Sequence, residues 1–401
     1  MVAPFLPDEE KVAAIRTALP GTGAGIFLDV ATAGPLPEES ERAMREWADW
    51  ELRVGRAGPD AAHEFGARLD EARGTVAAVL VAPAERVWLA PSAALGIHFA
   101  AEKRRWREGD RIVAAGSLET PVLSSLEQLA GALRAELEIV RATAGEASGV
   151  AMRRLAEAIG RQAALVVVPH VSALNGTVLP VAALAESAHR AGAWLAVDGS
   201  LAAGAIPVDA PGLGADIYAV AGDRWLLGPS GVAAAYVAPS VNADVPAPLA
   251  GPPGGVSWSA EQDGLGRAAV VGLARSAGWL AMQVGLEWAF GRTRALVEHA
   301  TDLLHGARGV KLLTPTDQAA GILVFRVDGW PAGRLQDELG HRTYAIVGTV
   351  ESADAIRASV GCWNTEAEIE RFAGAVAELA GIRPEEVVRR PPILVLPGDG
   401  S

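Results

Sequence analysis

From Gly25 to about Pro239 the chain alternates short β-rich runs with longer amphipathic stretches, and this alternation restricts its fold more than any other feature. A strand that leads through a crossover helix into the next strand builds a mostly parallel sheet with helices on both faces. Strands are expected at Ile26–Asp29, Arg86–Leu89, Arg111–Ala114, Glu138–Val140, Leu165–Val168, Trp194–Val197, Ile217–Val220 and Val232–Val237. Helices are expected between them at Ala94–Arg105, Pro121–Leu133, Ala151–Ile159 and Val181–Ala191. Ser240–Gly266, rich in Pro, Gly and Asp, reads as an irregular excursion, a domain edge or a lid. A long helical pattern follows over Val270–His305, mildly interrupted at Gly285 and Gly291. Short strands near Gly321–Val327 and Thr343–Val350 and a helix over Glu366–Leu379 suggest a smaller α+β unit, with Pro392 and Gly398–Ser401 as a loose tail. No fixed-period repeat is visible. The expected division is a large α/β unit over 20–265 and a small α+β unit from 1–19 and 266–401.

Composition narrows the partners. With 401 residues, half of them apolar, the chain can bury two or three packing units. Its net charge is −13 and no basic run could neutralise a row of phosphates, which disfavours nucleic acid and anionic membranes. Met1–Lys11 carries Asp8, Glu9 and Glu10 behind a short apolar start, the wrong charge order for a secretory leader, and no apolar run reads as a membrane span. The single cysteine, Cys362, has no companion for a disulfide or a thiolate metal site, so a reducing, cytoplasmic setting is expected. The only lysines are Lys11, Lys103 and Lys311, all outside the central segment.

That central segment holds Val197-Asp198-Gly199-Ser200, then Gly214-Ala215-Asp216, then Asp223-Arg224-Trp225-Leu226-Leu227-Gly228-Pro229-Ser230-Gly231. Alone, Asp198 would be a loop or cap carboxylate. At the C-terminal end of a central parallel strand it would project into the crevice where open α/β sheets bind ligands.

The order of these pieces resembles the class V aminotransferases, a family of pyridoxal-phosphate (PLP) enzymes of fold type I that includes cysteine desulfurases and isopenicillin N epimerase. Leu28-Asp29-Val30-Ala31-Thr32-Ala33-Gly34-Pro35 resembles the family's opening strand and turn, where the chain enters the large domain. Ala90-Pro91-Ser92-Ala93-Ala94-Leu95 occupies the place of its phosphate-binding turn. His170-Val171-Ser172 with Asn175-Gly176-Thr177-Val178-Leu179-Pro180 is similar to the segment over the cofactor, and Arg357-Ala358-Ser359 with Trp363-Asn364-Thr365-Glu366 to the C-terminal segment. The resemblance implies a fold-type-I α/β protein with its site between the domains, and a homodimer. It places Asp198 at the ring nitrogen, Ser92 and Ala93 at the phosphate, Thr120 at the ring face, Ser172 over the cofactor and Arg357 at the carboxylate of an amino-acid-type ligand. Each residue also has a plainer reading: Ser92 as a helix cap, Arg357 as a surface ion pair.

The same alignment of pieces puts Arg224 where the family has its Schiff-base lysine. A guanidinium keeps its proton at ordinary pH and cannot make that link. Around it, Asp223 replaces a neutral or basic group near the phosphate, Ala221 lacks a hydroxyl, and Leu201 stands where a glutamine or histidine often bonds the phenolic oxygen of the ring. Three readings follow. The chain is a lysine-to-arginine variant that still binds PLP; or a retained fold with another task, binding a preformed adduct or pairing with a lysine-containing paralogue; or a catalyst working without lysine on pyridoxamine phosphate, with His98, His170 or Tyr218 moving protons. The cofactor expectation is therefore non-covalent PLP or none. No cysteine lies between Thr314 and Ala358, which argues against desulfuration and towards epimerase-like or C–S lyase-like relatives.

Overall fold

The computed structural model describes residues 6–242, 264–316 and 318–387; most of the Ser240–Gly266 excursion and all of the tail lie outside them. In chain order the strands are β1 Ile26–Leu28, β2 Val87–Ala90, β3 Arg111–Ala115, β4 Glu136–Val140, β5 Ala163–Pro169, β6 Trp194–Asp198, β7 Ile217–Ala221, β8 Ala233–Val237, β9 Val310–Leu312, β10 Ile322–Val327, β11 Ala345–Val350 and β12 Ala355–Ser359. A seven-stranded sheet runs β2-β8-β7-β6-β5-β3-β4, parallel except for β8, which is antiparallel to both neighbours. A five-stranded sheet runs β1-β11-β12-β10-β9.

The central strands are buried along most of their length, β5 as Ala163–Pro169 with every residue inside, as a parallel sheet covered on both faces requires. Small residues let the covering helices approach. A side chain on Gly96, in helix Ala93–Ala101, would lie 3.3 Å from Ala235 Cβ on β8 and 3.8 Å from Ala219 Cβ on β7. The chain steps outward from β3 to β4, then returns past β3 to β5. With right-handed crossovers this puts helices Thr120–Leu133 and Ser148–Ile159 on opposite faces, and their buried side chains do belong to different core clusters. The C-terminal ends of β3 and β5 therefore flank the point where strand order reverses, the place where such sheets leave a ligand crevice.

Two findings differ from the sequence reading. Ile26–Leu28 pairs in parallel with β11, so this strand belongs to the small sheet and the chain enters the large unit only after the turn at Asp29–Gly34. Helix Arg267–Trp279 packs against helices Glu38–Val54 and Pro59–Leu80 in the large core, with Val270, Leu273 and Ala277 fully buried, whereas the small core takes over at Leu296. The stretch Arg267–Gly306 is long and apolar enough to cross a membrane, yet 56% of its apolar window is buried inside the protein, as in a core helix. Gly285, at φ 85°, ends a π-helical segment there, while Gly291 interrupts nothing.

Candidate functional site

At the end of β6, Asp198 is 4% exposed. Its Oδ1 accepts the Ser200 amide at 3.0 Å and the Ser200 hydroxyl at 2.6 Å, and Ser200 Oγ accepts the Ala221 amide at 3.1 Å, which ties the ends of β6 and β7 together. The turn needs Gly199, because a Cβ there would sit 2.1 Å from the Tyr218 ring. Burial pushes the Asp198 carboxyl up; the two Ser200 bonds and the Arg224 charge oppose this without cancelling it. Next to it the His170 amide donates to the Asp198 carbonyl, and the imidazole Nδ1 lies 2.6 Å from the Tyr218 hydroxyl, the rings edge to face. Burial pulls this imidazole down to about 4 and the phenol well above its ordinary value, so both are neutral and satisfied by each other. Leu201 is buried in the large core and offers no polar atom to a ligand.

Beyond β7 the loop Asp223–Gly228 bends back through Leu227, left-handed at φ 57°. Gly34 fits beneath it only because it has no side chain: a Cβ would lie 2.3 Å from the Arg224 carbonyl. Arg224 reaches across this contact and donates to the Thr32 carbonyl through Nη1, which also lies 3.4 Å from Asp223 Oδ1; Nη2 lies 3.8 Å from Glu119 Oε2. Asp223 accepts a further bond from the Ser230 hydroxyl at 2.8 Å. Arg357, on β12, donates to Thr32 Oγ1 at 3.1 Å and stands 3.9 Å from Asp29 Oδ1. The turn after β1 thus joins the two arginines, one from each sheet. Arg224 Nε, Arg357 Nε and Asp29 Oδ1 are buried with no hydrogen-bond partner among the described residues.

Glu119 is the residue the sequence reading missed. It precedes Thr120-Pro121 and looks there like a helix-capping carboxylate, but in the fold it leaves the end of β3 towards Arg224. Its carboxyl is pushed up to about 7, first by burial and then by the Asp198 charge, with Arg224 and Arg357 pulling the other way. Asp29 belongs to the same group; burial raises its carboxyl too. The clue available in sequence was position alone: Asp29 directly follows β1, and Glu119 lies in the short connection between β3 and helix Thr120–Leu133.

Of the remaining expected residues, Ser92, His98 and Ser172 have local partners of their own. Ser92 caps helix Ala93–Ala101, its hydroxyl accepting the Leu95 amide at 3.2 Å, and Ala93 is buried behind it. Thr120 is exposed at the first turn of its helix. Ser172 is buried, bonded to the Thr177 carbonyl through its amide and to the Leu174 amide through its hydroxyl. His98 contacts Ser125 and Glu102 on its own side of the sheet. Cys362 is buried, and burial pushes its thiol up to about 12, which leaves it unreactive.

Residues 26–372 match the sequence model of the family Aminotransferase class-V. Isopenicillin N epimerase of Streptomyces clavuligerus is 27% identical over 388 residues, 89% of this chain and 95% of its own length. A probable cysteine desulfurase of Methanothermobacter thermautotrophicus is 25% identical over 401 residues, 92% of this chain and 98% of its own. Among solved structures, the apo cysteine desulfurase of Thermococcus onnurineus NA1 superposes with a TM-score of 0.78 at 22% identity, covering 95% of this chain and 100% of that one. The cystine C–S lyase C-DES, in complex with its product cysteine persulfide, superposes at 0.79 with 19% identity, covering 90% and 99%. Both share the fold.

Proposed function

The chain belongs to the class V aminotransferase family, and on that premise we propose that it binds pyridoxal phosphate non-covalently together with an amino-acid-type ligand, Arg224 standing in the place of the lysine that would otherwise make the covalent link. The observation that carries this reading is Asp198: a buried carboxyl, pushed up because its surroundings compensate its charge only in part. A protonated pyridine nitrogen is the cation that fits there, and it would restore Asp198 to its ionised form. The start of helix Ala93–Ala101, capped by Ser92, offers free amides and a positive dipole end to the phosphate. Arg357, with its unpartnered Nε, supplies a fork for the ligand's carboxylate. When bound, the cofactor supplies an electron sink for a carbanion.

Arg224 does different work. Its charge is engaged by Asp223 and Glu119, so it neutralises carboxylates that would otherwise repel a phosphate. The three lysines lie on helix Asp8–Ala18, just after helix Ala93–Ala101, and on β9, and none belongs to this group of residues. Epimerase, lyase or transferase chemistry by the ordinary covalent route is thereby impaired, and a role as a binding protein or partner subunit, in a homodimer or beside a lysine-containing paralogue, fits the same residues. Equilibrium dialysis against pyridoxal phosphate, followed by borohydride, tests this. Saturable binding that dialyses away and leaves no label after reduction is expected. A pyridoxyl group fixed on a lysine would overturn it.

A further inference from the structure

Beside the Asp198 group lies a cavity of about 620 Å³ that no residue of that group lines. It opens at the C-terminal ends of β3, β4 and β5, closed on one side by helix Ser148–Ile159 and on the other by Gln318 and Ala319, which come from the stretch leading into β10. This is the reversal point of the strand order, where ligands enter such sheets. Its volume falls within the roughly 300–1,000 Å³ of small-molecule sites.

Two short stretches of backbone connect it to the site already described. Ser117 lines the cavity and Glu119 is two residues further; Ser172 lines it and His170, whose amide is bonded to the Asp198 carbonyl, is two residues back. Two residues span at most about 7 Å. A ligand held by Arg357 and Asp198 can therefore extend its side chain into the cavity.

The walls say what that side chain is. Val140, Met152, Leu155, Leu174 and Leu179 make them mostly apolar. Among the described residues no lysine or arginine lines the space, and the one carboxylate that does, Glu146, is paired with Arg154 at 2.6 Å. An anionic side chain would lose its hydration there without a counter-charge. We infer that this cavity receives the side chain of the amino-acid ligand, and that this side chain is large, neutral and predominantly apolar, of aromatic size or longer; the inference rests on the ligand reading above.

The test uses stable secondary amines made by borohydride reduction of the imines that pyridoxal phosphate forms with L-alanine or L-phenylalanine, which need no lysine to bind. Calorimetric titration of the full chain should show the phenylalanine adduct binding roughly tenfold or more tighter than the alanine adduct, the worth of burying a benzyl group. Ala142→Trp, in the loop after β4 and on the cavity wall, should abolish that preference and leave the alanine adduct's affinity unchanged. Equal affinity of the two adducts, or an Ala142→Trp variant that keeps the preference or weakens both alike, would overturn the inference while the proposed function stands. Absence of binding by either adduct would overturn both.

Discussion

The two halves of the site are satisfied to different degrees. On the β6 side, Asp198 has only the Ser200 bonds and a partial share of the Arg224 charge, and its carboxyl stays raised. On the β7 side, Arg224 has a carbonyl and two carboxylates around it, contributed by the turn after β1, by its own loop and by the end of β3. A buried charge left short of counter-charge costs stability and persists where something else supplies it, whereas a charge paired within the protein needs no ion from outside. On the proposed reading, the Asp198 half takes its counter-charge from a bound cation. The Arg224 half has supplied its own counter-charges, although Arg224 Nε still finds no hydrogen-bond partner among the described residues.

Removing the carboxylate that waits for a partner gives the largest effect. Asp198→Asn keeps the shape and the bond from Ser200 but cannot hold a protonated ring nitrogen, so affinity for pyridoxal phosphate should fall roughly 30-fold or more, about 2 kcal/mol, as for one partner of a buried charge pair. The ligand-free variant should melt at the same or a higher temperature at pH 7, because a raised folded-state carboxyl lowers stability as pH rises and its removal relieves this. Unchanged affinity in dialysis would erase the distinction between the halves.

Restoring the amine has a smaller expected effect, because the charge at position 224 is already countered within the protein. Arg224→Lys retains the charge but loses the planar fork to the Thr32 carbonyl, and should cost about 1–2 kcal/mol in urea unfolding. Asp223 would still face the phosphate and neither Ala221 nor Leu201 would gain a hydrogen bond. Borohydride should therefore fix little pyridoxyl label in the single variant and more once Asp223→His and Ala221→Ser are added. Strong, saturable labelling of the single variant would mean that only the amine separates this pocket from its relatives.

The difference between the halves was only partly legible in the sequence. The parallel strands announce themselves because full burial leaves runs such as Leu165–Val168 and Ile217–Val220 almost without polar residues. Asp198 and Arg224 are visible because each ends or follows such a run. Strand β12, which carries Arg357, alternates too briefly to declare itself beside Gly361, and its identity comes from pairing with β10 and β11. Helices Glu38–Val54 and Pro59–Leu80 lie within the strand–helix alternation, between its first two strands, and are not among the helices expected from it, although they frame the helix Arg267–Trp279. Asp29 and Glu119 escaped because a carboxylate in a turn or before a helix has a local explanation, and only the meeting of strand ends gives it a second one.

Glu119 offers the finest test, since it touches the satisfied half and is perturbed by the unsatisfied one. Its carboxyl is raised to about 7 from an ordinary 4.5, so between those values the folded protein holds a proton that the unfolded chain has released. The sign follows: Glu119 favours the folded state least above pH 7, and its contribution recovers as pH falls towards 4.5. Glu119→Gln should therefore gain stability relative to the parent at pH 8 and show no such gain near pH 4.5. A shift of this size corresponds to roughly 3 kcal/mol at most. The side chain is one-fifth exposed and the variant surrenders its attraction to Arg224, so about 1 kcal/mol is expected in urea midpoints compared at the two pH values. A gain of equal size at both would mean that Glu119 titrates as an ordinary carboxylate and that Asp198 does not act on it. Combining Glu119→Gln with Asp198→Asn sharpens the point: the pH-dependent gain should be less than additive, because Asp198→Asn removes a charge that helps raise the Glu119 carboxyl.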